Sequence, residues 1–287
     1  MLDLDFAELS DPGLVRDHNE DALGHVLPES AAQVHSQGWL FALADGAGGH
    51  KNGEQTARIA VERVLDGFRR IPKGVMHVSL LPRLVQEANV AVYHQAHPDQ
   101  AHPDQTHPDQ IHPDQTQQGR GSAGGRMATA LLVCALRFDS AVISHVGDSR
   151  CYLFRRGVAA ALTRDHTMAG EQQRLGLVSR AEETSGDNRH GLTRSLGTEL
   201  FVAADTITVN IAPGDVVMLS TYGLHGYVTD RQIETILGAN PGLKAAAKAL
   251  VEAANKLGGH DHVSVQLLRV KSVERMGLYR GRPYRLL

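Results

Sequence analysis

Trp39-Leu40-Phe41-Ala42-Leu43-Ala44-Asp45-Gly46-Ala47-Gly48-Gly49-His50 is the stretch on which the reading turns. Its apolar residues, from Gly38 to Ala44, have the length and composition of a buried strand that ends on the Asp45 carboxylate. The glycines at 46, 48 and 49 then free the backbone for tight turning or for close approach to a ligand. A carboxylate held by packing at a strand end suits a metal ligand or a catalytic acid. It also suits plain capping of a turn, and this stretch alone leaves both open.

Working outward, the pattern on the C-terminal side becomes helical. Asn52 with Gln55 resembles a capping box, and Ala57, Val61, Val64, Leu65 and Phe68 recur at helical spacing through Arg70. A second helix is expected from Ser79 to Gln95, with Pro82 in its first turn. On the N-terminal side, Leu2, Leu4 and Phe6 alternate with acidic residues, Asp11-Pro12-Gly13 turns, and a polar run from Val15 to Asp21 enters a short strand at Ala22 to Val26. From Met127 the pattern is β: Ala130 to Phe138, Ala141 to Val146, the polar turn Gly147-Asp148-Ser149-Arg150, then Cys151 to Arg155. Residues 164–190 read as a mostly helical polar excursion, and Leu192 to Gly197 and Phe201 to Ile211 as extended. Val216 to Ser220 is a strand, Leu243 to Leu257 a helix, and Val263 to Val270 the last strand. Successive strands with few helices between them make an antiparallel meander and exclude a Rossmann-like fold.

The 287 residues are 42% hydrophobic and 21% charged, the balance of a globular chain with a sizeable core. A net charge of −3 gives no reason to expect nucleic acid or a membrane surface as partner. No apolar run is long enough to span a bilayer, and Met1 to Asp5 lacks the character of a secretory leader, so a cytoplasmic location is expected. Cys134 and Cys151 lie in apolar runs and are expected as buried thiols. Neither has the arginine six residues on of a cysteine-dependent phosphatase loop; Ser140 and Gly157 stand there. His-Pro-Asp-Gln recurs from His97, His102, His107 and His112, and a proline every fifth residue excludes helix and central strand. Residues 97–118 are therefore expected as an inserted loop without a catalytic role. The remainder is expected as one domain over residues 1–270, followed by a basic tail, 271–287, more in keeping with an unstructured end than with a contact arm.

Several carboxylates fall at strand ends or strand-adjacent turns: Glu20, Asp21, Asp45, Asp148 and Asp261, with Arg16 close to the first two in sequence. Oxygen donors of this kind suit hard divalent cations, and an arginine beside them suits an anion. The segments Val15–Asp21, Ala44–His50, His145–Arg150, Leu162–Thr167, Thr193–Gly197 and Gly258–His262, in that order, resemble the metal-dependent type 2C family of serine/threonine protein phosphatases in its small bacterial form.

The resemblance spans about residues 10–268 and implies an α+β fold, an α-β-β-α sandwich of two antiparallel sheets face to face with helices outside. It implies Mn²⁺ or Mg²⁺, two ions in a core site. Asp45 would bridge both, Gly46 would offer its carbonyl, Asp261 would bind one, and Glu20 would hold a coordinated water with Asp21 beside it. Asp148 would help bind a third ion, and Arg16 would grip the phosphate. The activity implied is hydrolysis of phosphoserine and phosphothreonine on a phosphoprotein by a metal-activated water, opposing a cognate bacterial kinase. Against the family pattern, Tyr222 stands where an aspartate ligates a core metal, Gly226 where another serves the third, and His262 where asparagine is usual. These departures predict weaker metal binding, partly offset by His225, His260 or His262. The alternatives they leave open are a pseudophosphatase that binds phosphoproteins without turnover, and a scaffold in which the histidine-proline repeat is the functional part.

Overall fold

The computed structural model describes residues 1–47, 51–72, 74–98, 127–176, 191–279 and 282–285. Gly48, Gly49 and His50, the histidine-proline repeat beyond Pro98 and the part of the 164–190 excursion after residue 176 lie outside them.

Two five-stranded sheets form the body. One is built from β1 (Asp3–Asp11), β10 (Val263–Ser272), β9 (Val216–Ser220), β6 (Arg150–Arg155) and β7 (Val158–Ala161), hydrogen-bonded in that order. The other runs β2 (Asp21–Val26), β3 (Trp39–Ala47), β4 (Ala128–Arg137), β5 (Ser140–Val146) and β8 (Asp205–Asn210). Every pairing is antiparallel. Leu132, Cys134 and Leu136 of β4 face Cys151, Val217, Leu219 and Leu268 of the opposite sheet in one core. Leu131, Val133 and Ala135, on the other face of β4, pack under α2 (Lys51–Arg69) and α3 (His77–Ala96). Burial on both faces is why β4 reads as one continuous apolar run rather than an alternation. The outer face of the first sheet is covered by α6 (Asp230–Ala239) and α7 (Leu243–Lys256), through Ile233, Leu250 and Val251 among others. The layers are α-β-β-α.

Several local expectations are corrected. β3 does not stop at Ala44; it runs to Ala47, because Ala128 to Ala130 of β4 pair with Asp45 to Ala47 and satisfy their backbone. α2 begins at Lys51, so Asn52 lies inside it and no capping box forms there. α3 begins at His77, placing Pro82 in its interior, where the carbonyl deprived of its partner belongs to the exposed residue Val78. Between Leu192 and Ile211 only β8 is a strand, with isolated bridges at Leu192 and Leu196. The tail is not unstructured: β11 (Met276–Tyr279) and β12 (Arg282–Arg285) pair as a hairpin. Also present are α1 (Ala31–Ser36), α4 (Met168–Arg174), α5 (Tyr222–His225) and α6, which opens on a capping box between Thr229 and Gln232.

Candidate metal centre

Strand alternation places the acidic residues. Asp45 shares a strand face with Phe41 and Leu43, which point into the core between the sheets, so its carboxylate lies at the end of that core. Asp21 is its direct cross-strand partner on β2. Two carboxylates side by side repel unless a cation stands between them.

Asp21, Asp45 and His262 each offer a ligand atom, all within 4.8 Å of one another. Asp21 is held by the Thr221 hydroxyl, which donates to its Oδ2 at 3.0 Å, while its buried Oδ1 has no partner among the described residues. Burial, with the charges of Asp261 and Asp148 adding to it, pushes the Asp21 carboxyl up to about 7. Burial and the charges of Asp21, Asp148 and Asp261 raise Asp45 well above the usual carboxylate range, opposed by a hydrogen bond from the Tyr222 backbone. Asp148 is likewise pushed up to about 7 by burial and by Asp165. Burial and mutual repulsion outweigh the charge of Arg150 beside Asp148 and hold these carboxyls above their usual range, the condition a divalent cation relieves. With its oxygen donors and an orphaned oxygen, the cluster fits Mn²⁺ or Mg²⁺.

Asp261 lies at the mouth, where Oδ1 meets Arg16 Nη2 at 3.2 Å and accepts from the His262 backbone at 3.1 Å. Arg16 Nε also donates to the His260 carbonyl at 3.3 Å, and about half of its side chain stays exposed. Burial lowers the His262 pKa against the pull of Asp261 and Glu20, which favours the neutral, ligating imidazole. Glu20 is buried, its carboxylate lying over Gly53: a Cβ there would stand 1.8 Å from Oε2. Gly223 allows α5 to meet the loop before β10, since a Cβ would stand 1.8 Å from the His262 carbonyl oxygen. The Gly46 backbone N–H donates to the Glu20 carbonyl at 3.1 Å.

Of the residues singled out in sequence, Asp21, Asp45, Asp148 and Asp261 thus act on one another's charge, with Arg16 and Glu20 at the edge of the group. His225 is not among them. It is buried near Arg150 and Asp165, and burial lowers it to about 3. Thr221 was missed; no pattern in the chain marks a hydroxyl that reaches a carboxylate 200 residues away. A second group that could hold a metal, His145, His166 and Asp205, was also missed. It sits where β5 pairs with β8, and its signal was the histidines in two quoted motifs, His145-Val146-Gly147-Asp148 and Arg164-Asp165-His166. Two such groups are consistent with a two-ion Mn²⁺ or Mg²⁺ site; the carboxylate-rich first group better matches the oxygen preference of those ions.

Comparison with known proteins converges on one family. The family model described as protein phosphatase 2C matches residues 16–251. The serine/threonine phosphatase stp of Listeria innocua is 28% identical over 278 residues, covering 95% of this chain and 96% of that one. The crystal structure of the Mycobacterium tuberculosis serine/threonine phosphatase PstP/Ppp superposes with a TM-score of 0.74 at 27% identity, covering 94% of this chain and all of that one. The catalytic domain of PstP in complex with two manganese ions gives a TM-score of 0.72 at 27% identity, over 95% of this chain and all of that one.

Proposed function

The chain belongs to the protein phosphatase 2C family, and from that premise we propose that it is a metal-dependent phosphatase acting on phosphoserine and phosphothreonine in proteins, in opposition to a protein kinase. The observation that carries this reading is the convergence of Asp21, Asp45 and His262, with ligand atoms within 4.8 Å of one another, beside Asp261 and the exposed Arg16.

In this reading Asp45, Asp261, Glu20, Asp148 and the Gly46 carbonyl hold the ions, with Asp21 and His262 completing the cluster. When bound, the ions lower the pKa of a water and offset the negative charge that builds on the phosphoryl group. The chain's own groups do the rest. Arg16 presents an exposed guanidinium fork, aimed by Asp261 and the His260 carbonyl, that grips two phosphate oxygens. Glu20 would hold a coordinated water, with Asp21 beside it.

Tyr222 does not dismantle this arrangement. Its backbone N–H supports the Asp45 carboxylate, Asp21, Asp148 and Asp261 remain around it, and His262 joins Asp21 and Asp45. No helix among the described residues is long and apolar enough to cross a membrane.

Hydrolysis of p-nitrophenyl phosphate and of a phosphothreonine peptide, with Mn²⁺ or Mg²⁺, tests the proposal on wild type, Asp45→Asn and Tyr222→Asp. Wild type is expected to turn over, and Asp45→Asn to lose more than the roughly 10–100-fold typical of an outer-shell partner. No turnover by wild type with either metal, restored by Tyr222→Asp, would overturn the reading.

A further inference from the structure

A cavity of about 380 Å³, separate from the acidic cluster, is lined by Arg150, Thr163, Arg164, Asp165, Gln173 and Arg174, among others. Arg150 shares a strand face with Tyr152, whose hydroxyl its Nη1 meets at 3.4 Å and which packs in the core under α6 and α7, not between the sheets. The three guanidiniums come from three places: the start of β6, the loop before α4, and the last turn of α4.

Two of them are partly engaged. Arg150 makes a two-point contact with Asp165 at 2.8 Å and 2.8 Å, and Arg174 Nε meets Glu171 at 2.7 Å. Arg164 is exposed and has no ion-pair partner among the described residues. Three cations against two carboxylates leave the cavity with excess positive charge. Its walls are fixed: the Arg164 carbonyl accepts from His145 Nε2 at 2.9 Å, the Thr163 hydroxyl accepts from the Cys151 backbone at 3.0 Å, and the Thr167 hydroxyl caps α4 through Gly170 at 3.0 Å. Preset guanidinium donors around a space of this size suit an oxyanion carried on a larger molecule. Asp165, in the cavity wall, also exerts the strongest charge effect on Asp148. The turn that carries Asp148 runs directly into Arg150, and His166, two residues after Arg164, holds that turn by donating its backbone N–H to the Gly147 carbonyl at 2.9 Å, so the cavity adjoins the acidic cluster.

Resting on the phosphatase reading, we propose that this cavity binds a second oxyanion of the phosphoprotein substrate, a phosphate or carboxylate a few residues from the phosphoryl group being hydrolysed. The test compares wild type with the double variant Arg164→Gln/Arg174→Gln on phosphothreonine peptides. Each peptide carries alanine, glutamate or a second phosphoserine at positions one to eight residues away. Wild type is expected to show a KM about fivefold lower for at least one spacing of the second charge, and the variant to lose that preference while hydrolysing p-nitrophenyl phosphate as wild type does. Glutamate and phosphoserine arms tell which oxyanion is read. Equal KM for all peptides in wild type, or a preference that survives the double variant, overturns the proposal. If p-nitrophenyl phosphate is not hydrolysed, the phosphatase reading fails instead. Calorimetric titration with the doubly phosphorylated peptide then decides the cavity by itself, binding lost in the variant supporting it and no binding by wild type overturning it.

Discussion

At Gly53 a single hydrogen atom decides whether Glu20 can occupy its place. A methyl group there would stand 1.8 Å from the carboxylate, well inside any contact distance, so Glu20 would have to leave. Gly53→Ala is therefore expected to weaken Mn²⁺ binding and turnover together. Calorimetric metal titration beside a p-nitrophenyl phosphate assay checks this, and unchanged affinity would show that Glu20 has no part in the site. Asp45 presents the reverse trade: its charge is costly in the metal-free fold and indispensable in the proposed reaction. Asp45→Asn is expected to raise the melting temperature of metal-free protein while abolishing activity, read by thermal denaturation in chelator.

Elements position these residues from far apart in sequence. β2 and β3 set Asp21 against Asp45 by register, α5 brings Tyr222 and Thr221 to them, and the turn into β10 delivers Asp261 and His262. β6 and the segment before α4 are joined by the Arg150–Asp165 pair, with side chains 15% and 7% exposed. Asp165→Asn leaves the guanidinium buried without its counter-charge, which costs about 3 kcal/mol and lowers the melting temperature by roughly 6 °C. A shift under one degree would mean that water reaches Arg150. α3 and β4 pack fully on either side of the histidine-proline repeat. Replacing residues 99–126 by a short glycine-serine linker is accordingly expected to leave turnover within about twofold, as changes between packed elements usually allow. A larger loss would give the repeat a role.

For the whole molecule, the buried carboxylates make stability depend on pH with a definite sign. Asp21 and Asp148 are raised to about 7, against about 4 in an unfolded chain, so over that interval the folded, metal-free state binds more protons. Their contribution is fully present below about pH 4 and is lost as pH rises through 7. Buried histidines work in the opposite direction at lower pH: His77, lowered to about 4, and His225, to about 3, favour the folded state as pH rises toward 6.5. The clean window is thus about pH 6.5–8, where the melting temperature of metal-free protein is expected to fall and the stabilisation by Mn²⁺ to grow. Thermal melts in chelator and in Mn²⁺ across that window measure both slopes, and a rise in the metal-free value would contradict the clustering of these acids.

Sequence alone carried the run of strands and the long helices, and, through the family resemblance, the layered architecture and most of the acidic set. Apolar runs, alternation and turn residues are local properties, and motifs such as Arg16 to Asp21 and Gly258 to His262 keep their spacing within a few residues. Element boundaries were harder: the end of β3 depends on pairing with β4, and the start of α3 on a proline tolerated in the helix interior, while α6 compresses its signals, the Thr229–Gln232 capping box and Ile233, Ile236 and Leu237 at helical spacing, into ten residues. Only the tertiary structure decided that Asp21 and Asp45 stand side by side with His262, that Thr221 holds one of them, and that three arginines surround a cavity behind Asp148. Charge repulsion, burial and hydrogen-bond reach act through space. Residues separated by 200 positions or more feel them only after the two sheets have closed on each other.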